Sequence, residues 1–73
     1  MTVKSVKKYI PKKLRPYIIG EIVIWKNDSE AYHNIDVMFR FEDNSEAYFI
    51  AYGVRELKWA CKKVLSGKRD NIL

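Results

Sequence analysis

The sequence predicts an α+β domain in which a short N-terminal helix precedes a three-stranded antiparallel β-meander and a C-terminal amphipathic helix, in the order αβββα. Apolar and polar residues alternate over residues 35–42, as in a strand with one buried face. Apolar residues over 54–65 recur instead at helical spacing. Asn27-Asp28 and Asp43-Asn44 are turn signals that divide the apolar segments into strands.

The length and composition of the chain allow one small domain. Its 73 residues, of which 48% are hydrophobic, suffice for one packed core and exclude a disordered chain. We expect a single domain over residues 1–73, with a frayed tail at 68–73. No apolar run reaches the ~20 residues that cross a bilayer, and the N-terminus lacks the apolar core of a signal peptide. Since Cys61 has no partner for an internal disulfide, we expect a cytoplasmic protein with no membrane contact.

The N-terminal segment predicts a helix followed by a turn. Thr2 is suited to cap this short helix. Its apolar residues follow helical spacing and are Val3, Val6 and Ile10. Pro11 ends the helix or opens a turn over residues 12–15, and Pro16 closes that turn.

Three strands are predicted over about residues 18–26, 32–42 and 46–52. The first is apolar at nearly every position from Ile18 to Trp25, which indicates a strand with both faces at least partly covered. Gly53 ends the third strand, and a helix follows over about 54–66. The apolar face of this helix is predicted to consist of Val54, Leu57, Ala60, Cys61, Val64 and Leu65.

The net charge of +5 is distributed unevenly along the chain. Residues 1–17 carry six lysines and arginines and no acid, residues 18–54 carry a net charge of −5, and residues 55–73 carry +4. Two basic ends therefore flank an acidic middle. This asymmetry favours a polyanion or an acidic protein as the partner of the ends, and a merely solubilising lysine-rich surface is the alternative.

Few side chains are suited to catalysis or to metal binding. Cys61 shares a helical face with Leu57 and Val64, which predicts a buried and unreactive thiol. His33 is the only histidine, and one histidine with one helical cysteine does not make a zinc site. The acids form no pair for acid–base chemistry, and no glycine-rich phosphate loop is present. We therefore expect no enzyme activity, no cofactor and no metal.

Trp59 lies roughly opposite the apolar face of the C-terminal helix, at 100° per residue. Its neighbours at helical spacing are Arg55, Lys58 and Lys62. An exposed indole in a basic stripe is typical of a surface that meets a partner, and cover by the tail or by a lysine side chain is the alternative. Trp25 and Tyr48 would form a second apolar patch on an uncovered side of the sheet.

The predicted order αβββα resembles that of the double-stranded RNA-binding domain, over roughly residues 5–66. Residues 5–9, Ser-Val-Lys-Lys-Tyr, are similar to the family's first helix, which often carries a tyrosine there. His33 lies where the family places a histidine between strands one and two, and Arg-Glu-Leu-Lys at 55–58 is similar to the basic start of its second helix. Val54 stands in place of the first lysine of the family's basic triplet. The resemblance implies recognition of duplex RNA by its shape and phosphates.

We therefore predict a small, basic, non-catalytic module that binds duplex RNA or DNA with little sequence specificity, through phosphate contacts from its helices. The acidic strands repel phosphates, which excludes binding through the sheet. The predicted binding residues are Lys7, Lys8, Lys12, Lys13, Arg15, His33, Arg55, Lys58, Trp59 and Lys62. The alternative is a small protein-binding inhibitor or accessory protein, of the type that phages or mobile elements encode, acting on an acidic protein surface.

Overall fold

The computed structural model describes residues 2–26, 33–68 and 72, and its elements follow one another in the order αβββα. The predicted α+β fold class is confirmed. The helices are α1 (Val3–Tyr9) and α2 (Val54–Leu65), and a single turn of 3-10 helix spans Arg15–Tyr17. The strands are β1 (Val23–Lys26), β2 (His33–Arg40) and β3 (Glu46–Tyr52).

The three strands form one antiparallel sheet with β2 in the middle. β1 pairs with the first half of β2, so that Ile24 lies opposite Ile35. β3 pairs with nearly the whole of β2, and Val37 lies opposite Phe49. Since β2 has a partner on each side, it is the only one of these strands whose backbone is shielded at both edges.

The turn predicted at Asp43-Asn44 joins β2 to β3. The Asp43 carboxylate accepts a hydrogen bond from the backbone N–H of Ser45 at 2.9 Å, as aspartate side chains often do in turns. Asn44 has a φ of 68°, in the left-handed region that asparagine tolerates better than most residues. The turn predicted at Asn27-Asp28 lies outside the described residues.

The first strand is shorter than predicted, because the segment before Val23 does not keep the register of the sheet. Ile18 pairs with Phe39 in an isolated bridge. Gly20 then has a φ of 67°, which interrupts the extended backbone. Four residues, 19–22, consequently lie opposite two residues of β2, and the chain bulges outward before β1 begins.

Both helices pack against the same face of the sheet. The largest fully buried side chain, Phe39 on β2, lies at the centre of this layer with its ring centroid 6.0 Å from that of Phe49. The core residues up to the end of α2, from the strands, the helices and the segments that join them, are Val6, Ile10, Leu14, Ile22, Ile35, Val37, Phe39, Ala47, Phe49, Ala51, Leu57, Ala60, Cys61 and Val64. The expectation that both faces of the first strand are at least partly covered is wrong, because no helix of the described residues covers the other face and Val23 and Trp25 are exposed there.

The N-terminal helix begins as predicted. The hydroxyl of Thr2 accepts a hydrogen bond from the backbone N–H of Ser5 at 3.1 Å, and the Ser5 hydroxyl accepts one from the backbone N–H of Thr2. Pro16, in contrast, does not close the following turn. It lies inside the 3-10 helix, where its fixed φ suits the first turn of a helix and its missing N–H costs no hydrogen bond.

Two residues near the C-terminus differ from expectation. Leu65 was assigned to the buried face of α2 but is 46% exposed, because it lies about 80° around the helix from Leu57, at the edge of the buried arc. Ile72, in the segment predicted to fray, is only 2% exposed and joins the core, which removes its branched side chain from water. Residues 69–71 and 73 lie outside the described part of the chain.

Cys61 is buried, as predicted, and burial raises the pKa of its thiol to about 11. We expect a thiol reagent at about pH 8 to label the native protein far more slowly than the urea-unfolded protein. Cys61→Ala removes one buried atom and should lower the free energy of unfolding by about 1 kcal/mol at neutral pH. Rapid labelling of the native protein would contradict this assignment.

The raised pKa of Cys61 also predicts a loss of stability at high pH. The unfolded thiol ionises near its ordinary pKa of 9.0, whereas the folded thiol keeps its proton up to about 11. Between these values the unfolded state binds fewer protons, so the free energy of unfolding falls as the pH rises. In urea titrations at matched pH, the stability advantage of the wild type over Cys61→Ala should shrink between pH 9 and 11. A difference that is constant from pH 7 to pH 11 would rule out this titration.

Candidate functional site

The outer side of α2 brings together four of the predicted binding residues. These residues, called the α2 stripe from here on, are Arg55, Lys58, Trp59 and Lys62. All four are exposed, and with Val54 they line one shallow depression on the helix surface. They lie together because Leu57, Ala60, Cys61 and Val64 face the sheet and turn the remaining arc of the helix outward.

Trp59 is 48% exposed, and a lysine shields one side of its ring. The Nζ of Lys63 lies 3.7 Å from the centroid of the indole ring, a cation–π contact at i, i+4 spacing. The contact holds the indole against the helix surface and adds a further positive charge beside it. Sequence reasoning did not include Lys63 among the binding residues, although its four-residue spacing from Trp59 is a signal that would have indicated it.

Tyr9 connects α1 to the α2 stripe. The Nζ of Lys58 lies 5.3 Å from the centroid of the Tyr9 ring, so the end of α1 runs beside the stripe. Tyr9 was absent from the predicted binding residues, and nothing in the sequence says that α1 docks at this angle. At 100° per residue, Lys7 lies about 160° around α1 from Tyr9, on the other flank of the helix, whereas Lys8 lies about 100° from it.

The Arg15 side chain forms hydrogen bonds to the backbone at the end of α1. Its Nε donates a hydrogen bond to the carbonyl of Ile10 at 2.9 Å, and its Nη2 donates to the carbonyl of Lys8 at 3.4 Å. These are carbonyls at the C-terminal end of α1, where a cation also complements the helix dipole. Arg15 is therefore half-buried against the end of α1, unlike the exposed lysines around it.

The remaining predicted residues lie in two places. Lys12 and Lys13 are exposed in the turn between the helical segments. Lys13 lines a second shallow groove, together with Leu65 at the end of α2 and the acids Glu42 and Asp43. The turn therefore lies beside the C-terminal end of α2, and two carboxylates lie near Lys13. His33 is separate from the turn: it is the first residue of β2, half-buried and paired opposite Lys26.

The helical segments themselves contain many cations and almost no acid. Residues 2–17 and 54–68 contain one acid, Glu56, whose carboxylate accepts a hydrogen bond from the backbone N–H of Tyr52 at 3.0 Å. The cations in these segments are Lys4, Lys7, Lys8, Lys12, Lys13, Arg15, Arg55, Lys58, Lys62, Lys63 and Lys68. Within the described residues, no carboxylate lies within ion-pair distance of the cations of the α2 stripe.

The opposite face of the sheet is apolar and aromatic. Its exposed side chains include Val23, Trp25, Met38, Tyr48 and Tyr52. The Tyr48 hydroxyl donates a hydrogen bond to the Asp36 carboxylate at 3.1 Å, and this bond raises the pKa of Tyr48 above its ordinary value of 10.0. Arg40 and Glu46 form an ion pair at 3.2 Å at one end of this face.

No group of three or more metal-ligating side chains occurs among the residues that the structure describes. The described helices are also too short and too polar to cross a membrane. The exposed groups of the helical side are ammonium and guanidinium donors and aromatic rings. Chemically, this arrangement is suited to electrostatic contact with anions and to stacking.

The role of Arg15 in the scaffold predicts a stability effect that the exposed lysines lack. Arg15→Lys keeps the charge but loses the Nε–H that bonds to Ile10, and we expect the free energy of unfolding to fall by about 1 kcal/mol. Lys12→Ala, in the same turn, should change the free energy of unfolding by less than about 0.5 kcal/mol. Urea unfolding of both variants measures the difference, and equal stabilities would show that the two hydrogen bonds contribute nothing.

The chain was compared with protein-family models, with curated protein sequences and with solved structures, and none of the three comparisons gave a significant match.

Proposed function

We propose that the protein binds duplex nucleic acid through the α2 stripe and the adjoining basic turn, without catalysing a reaction. The observation that carries the proposal is the segregation of charge between the two sides of the molecule. Eleven lysines and arginines lie in the helical segments against one acid, whereas the described residues between them, 18–26 and 33–53, contain five acids and two basic residues. A polyanion is the partner that such a surface attracts most strongly.

The spacing of the α2 stripe supports contact with a phosphate backbone. Arg55 and Lys62 are separated by about 10 Å along the helix axis, at 1.5 Å per residue, with Lys58 between them. A duplex presents about six phosphates over that length, so three cations have phosphate partners without any change of the helix. Lysine side chains are long and flexible, which suits non-specific phosphate contacts better than the reading of bases.

The acidic sheet argues for binding on the helical side alone. A ligand that approached the opposite face would meet Asp36 and Glu21, which repel phosphates. The resemblance of residues 5–66 to the double-stranded RNA-binding domain supports duplex RNA as the first ligand to test, since that family also has the order αβββα. Recognition of duplex RNA is largely recognition of shape, and it needs few base-reading side chains. In this proposal the protein acts in the cytoplasm.

The proposal predicts a salt-dependent affinity that falls when the stripe loses charge. Lys58→Ala and Lys62→Ala should each weaken binding to duplex RNA about equally across sequences. Each should also flatten the slope of log K against log [salt] by roughly 0.7–0.9, the value for one lost phosphate contact. Lys26→Ala, an exposed lysine on β1, is the matched control and should leave both the affinity and the slope unchanged. Fluorescence anisotropy with labelled RNA at several salt concentrations measures these quantities.

Two outcomes would overturn the proposal. One is an equal effect of Lys26→Ala and Lys58→Ala, which would mean that the net charge alone determines binding. The other is a failure to bind duplex RNA, duplex DNA or single strands at about 50 mM salt, where phosphate contacts are strong. If Trp59→Ala instead abolishes cellular activity while nucleic acid is not bound, an acidic protein surface is the partner of the stripe.

A further inference from the structure

A second surface, independent of the proposed function, lies on the side of the sheet that the helices leave uncovered. It is called the open face here, and its residues alternate with the core residues along each strand. The register arranges them in rows across the strands. One row is Trp25, Asn34 and Tyr52, the next is Val23, Asp36 and Ile50, and the third contains Met38 and Tyr48.

The open face exposes a large apolar area for so small a protein. Trp25 is 39% exposed, Tyr48 is 48% exposed and Tyr52 is 53% exposed. With Val23 and Met38, they place five of the nine exposed large hydrophobic side chains of the described residues on one face. A contiguous apolar patch of this kind marks an interaction site more often than scattered exposed residues do.

Two polar side chains lie in the middle of the open face. Asn34 is only 6% exposed, between Trp25 and Tyr52, and its Oδ1 is buried with no donor among the described residues. This oxygen lies below the surface and is not open to a ligand. Within the described residues, Asp36 accepts one hydrogen bond, from the Tyr48 hydroxyl to Oδ2. The Asp36 carboxylate is therefore the group of these two that a cationic or hydrogen-bond-donating ligand would meet.

The bulge before β1 forms a groove that adds a second carboxylate. The residues around the groove include Glu21, Val23, Asp36, Met38 and Tyr48. Within the described residues, neither Asp36 nor Glu21 has a cation at ion-pair distance, whereas Arg40 is already paired with Glu46. Two unneutralised carboxylates beside a tyrosine ring and apolar walls form a site suited to a lysine or arginine side chain, whose stem is apolar and whose end is cationic.

We propose that the open face binds an extended basic segment of a partner protein, with one of its lysine or arginine side chains in the groove between Asp36 and Glu21. The distance along β2 from Asn34 to Met38 is about 13 Å, which an extended peptide of about four residues spans. Its apolar side chains lie on Trp25 and Tyr52.

Charge complementarity favours this occupant over two others. A nucleic acid would bring phosphates next to Asp36 and Glu21. A second copy, related by a two-fold axis through the middle of the patch, would bring Asp36 near its own equivalent and bury both carboxylates without a cation. A basic segment neutralises the carboxylates instead. The α2 stripe on the other side repels such a segment, so the two surfaces do not compete for it.

The test uses a peptide of four Arg-Val repeats as the probe and a peptide of four Glu-Val repeats as its control. In ¹⁵N NMR titrations of the full chain, the Arg-Val peptide should shift the side-chain signals of Trp25 and Asn34 and the amide of Asp36, and leave those of α2 in place. Glu21→Gln should raise the Kd at least about threefold, because Glu21 is exposed and the change removes only a charge. Trp25→Ala should raise it about tenfold or more, and Trp59→Ala, the matched aromatic control, should not change it.

Three results would overturn the proposal. If the Glu-Val peptide shifts the same signals equally, charge plays no part in binding. If the signals of the open face move with protein concentration in the absence of peptide, a second copy is the occupant. If about 1 mM Arg-Val peptide leaves the open face unshifted in a well-folded protein, the face does not bind basic segments. Glu21→Gln should not unfold the protein, since no described interaction involves the Glu21 side chain. A loss of binding in this variant therefore reports on the charge and not on the stability of the fold.

Discussion

The burial of one face of β2 and β3 under the two helices is the constraint on which the rest of this structure depends. Phe39 and its neighbours on β2 alternate with Asp36 and Met38, so the sheet has one face that must leave water and one that tolerates it. The two helices of the described residues, α1 and α2, cover one of these faces. This packing of both helices on one face leaves the other face uncovered. It also leaves one arc of α2 facing outward and Trp25 exposed.

The same constraint separates the charges of the molecule. Because the helices lie in one layer, their lysines and arginines project from one side, while the carboxylates of the strands project from the other or from the turns. The α2 stripe and the Asp36 carboxylate, which come from segments of opposite charge, thereby lie on different surfaces of the molecule. This separation makes it possible for one small domain to attract a polyanion on its helical side and a basic segment on its open face.

The basic surface also depends on contacts that hold the helices in place. Arg15 bonds to carbonyls at the end of α1, and Lys58 lies over the ring of Tyr9, so that the short α1 is fixed beside α2. An α-helix of seven residues is too short to be stable alone in water. Cations that appear equivalent in the sequence therefore have different roles: Arg15 stabilises the layer, whereas Lys62 is available to a ligand.

The sequence by itself determined the order of the elements, the bounds of α2 to within one residue, the burial of Cys61 and the exposure of Trp59. These features depend on local periodicity, which is a property of neighbouring residues. The grouping of Arg55, Lys58, Trp59 and Lys62 was predictable for the same reason, because helical spacing alone brings them together.

Only the tertiary structure decided which residues that are distant in the sequence contact one another. It placed Tyr9 beside Lys58, because this contact depends on the docking angle of α1 and not on spacing. It also split the first strand at Gly20, where a left-handed φ outweighs the apolar run, and brought Ile72 into the core. The exposure of one face of β1 was also decided by the tertiary structure. An apolar pattern in the sequence shows that residues prefer burial, but the position of the covering helices decides which of these residues are buried.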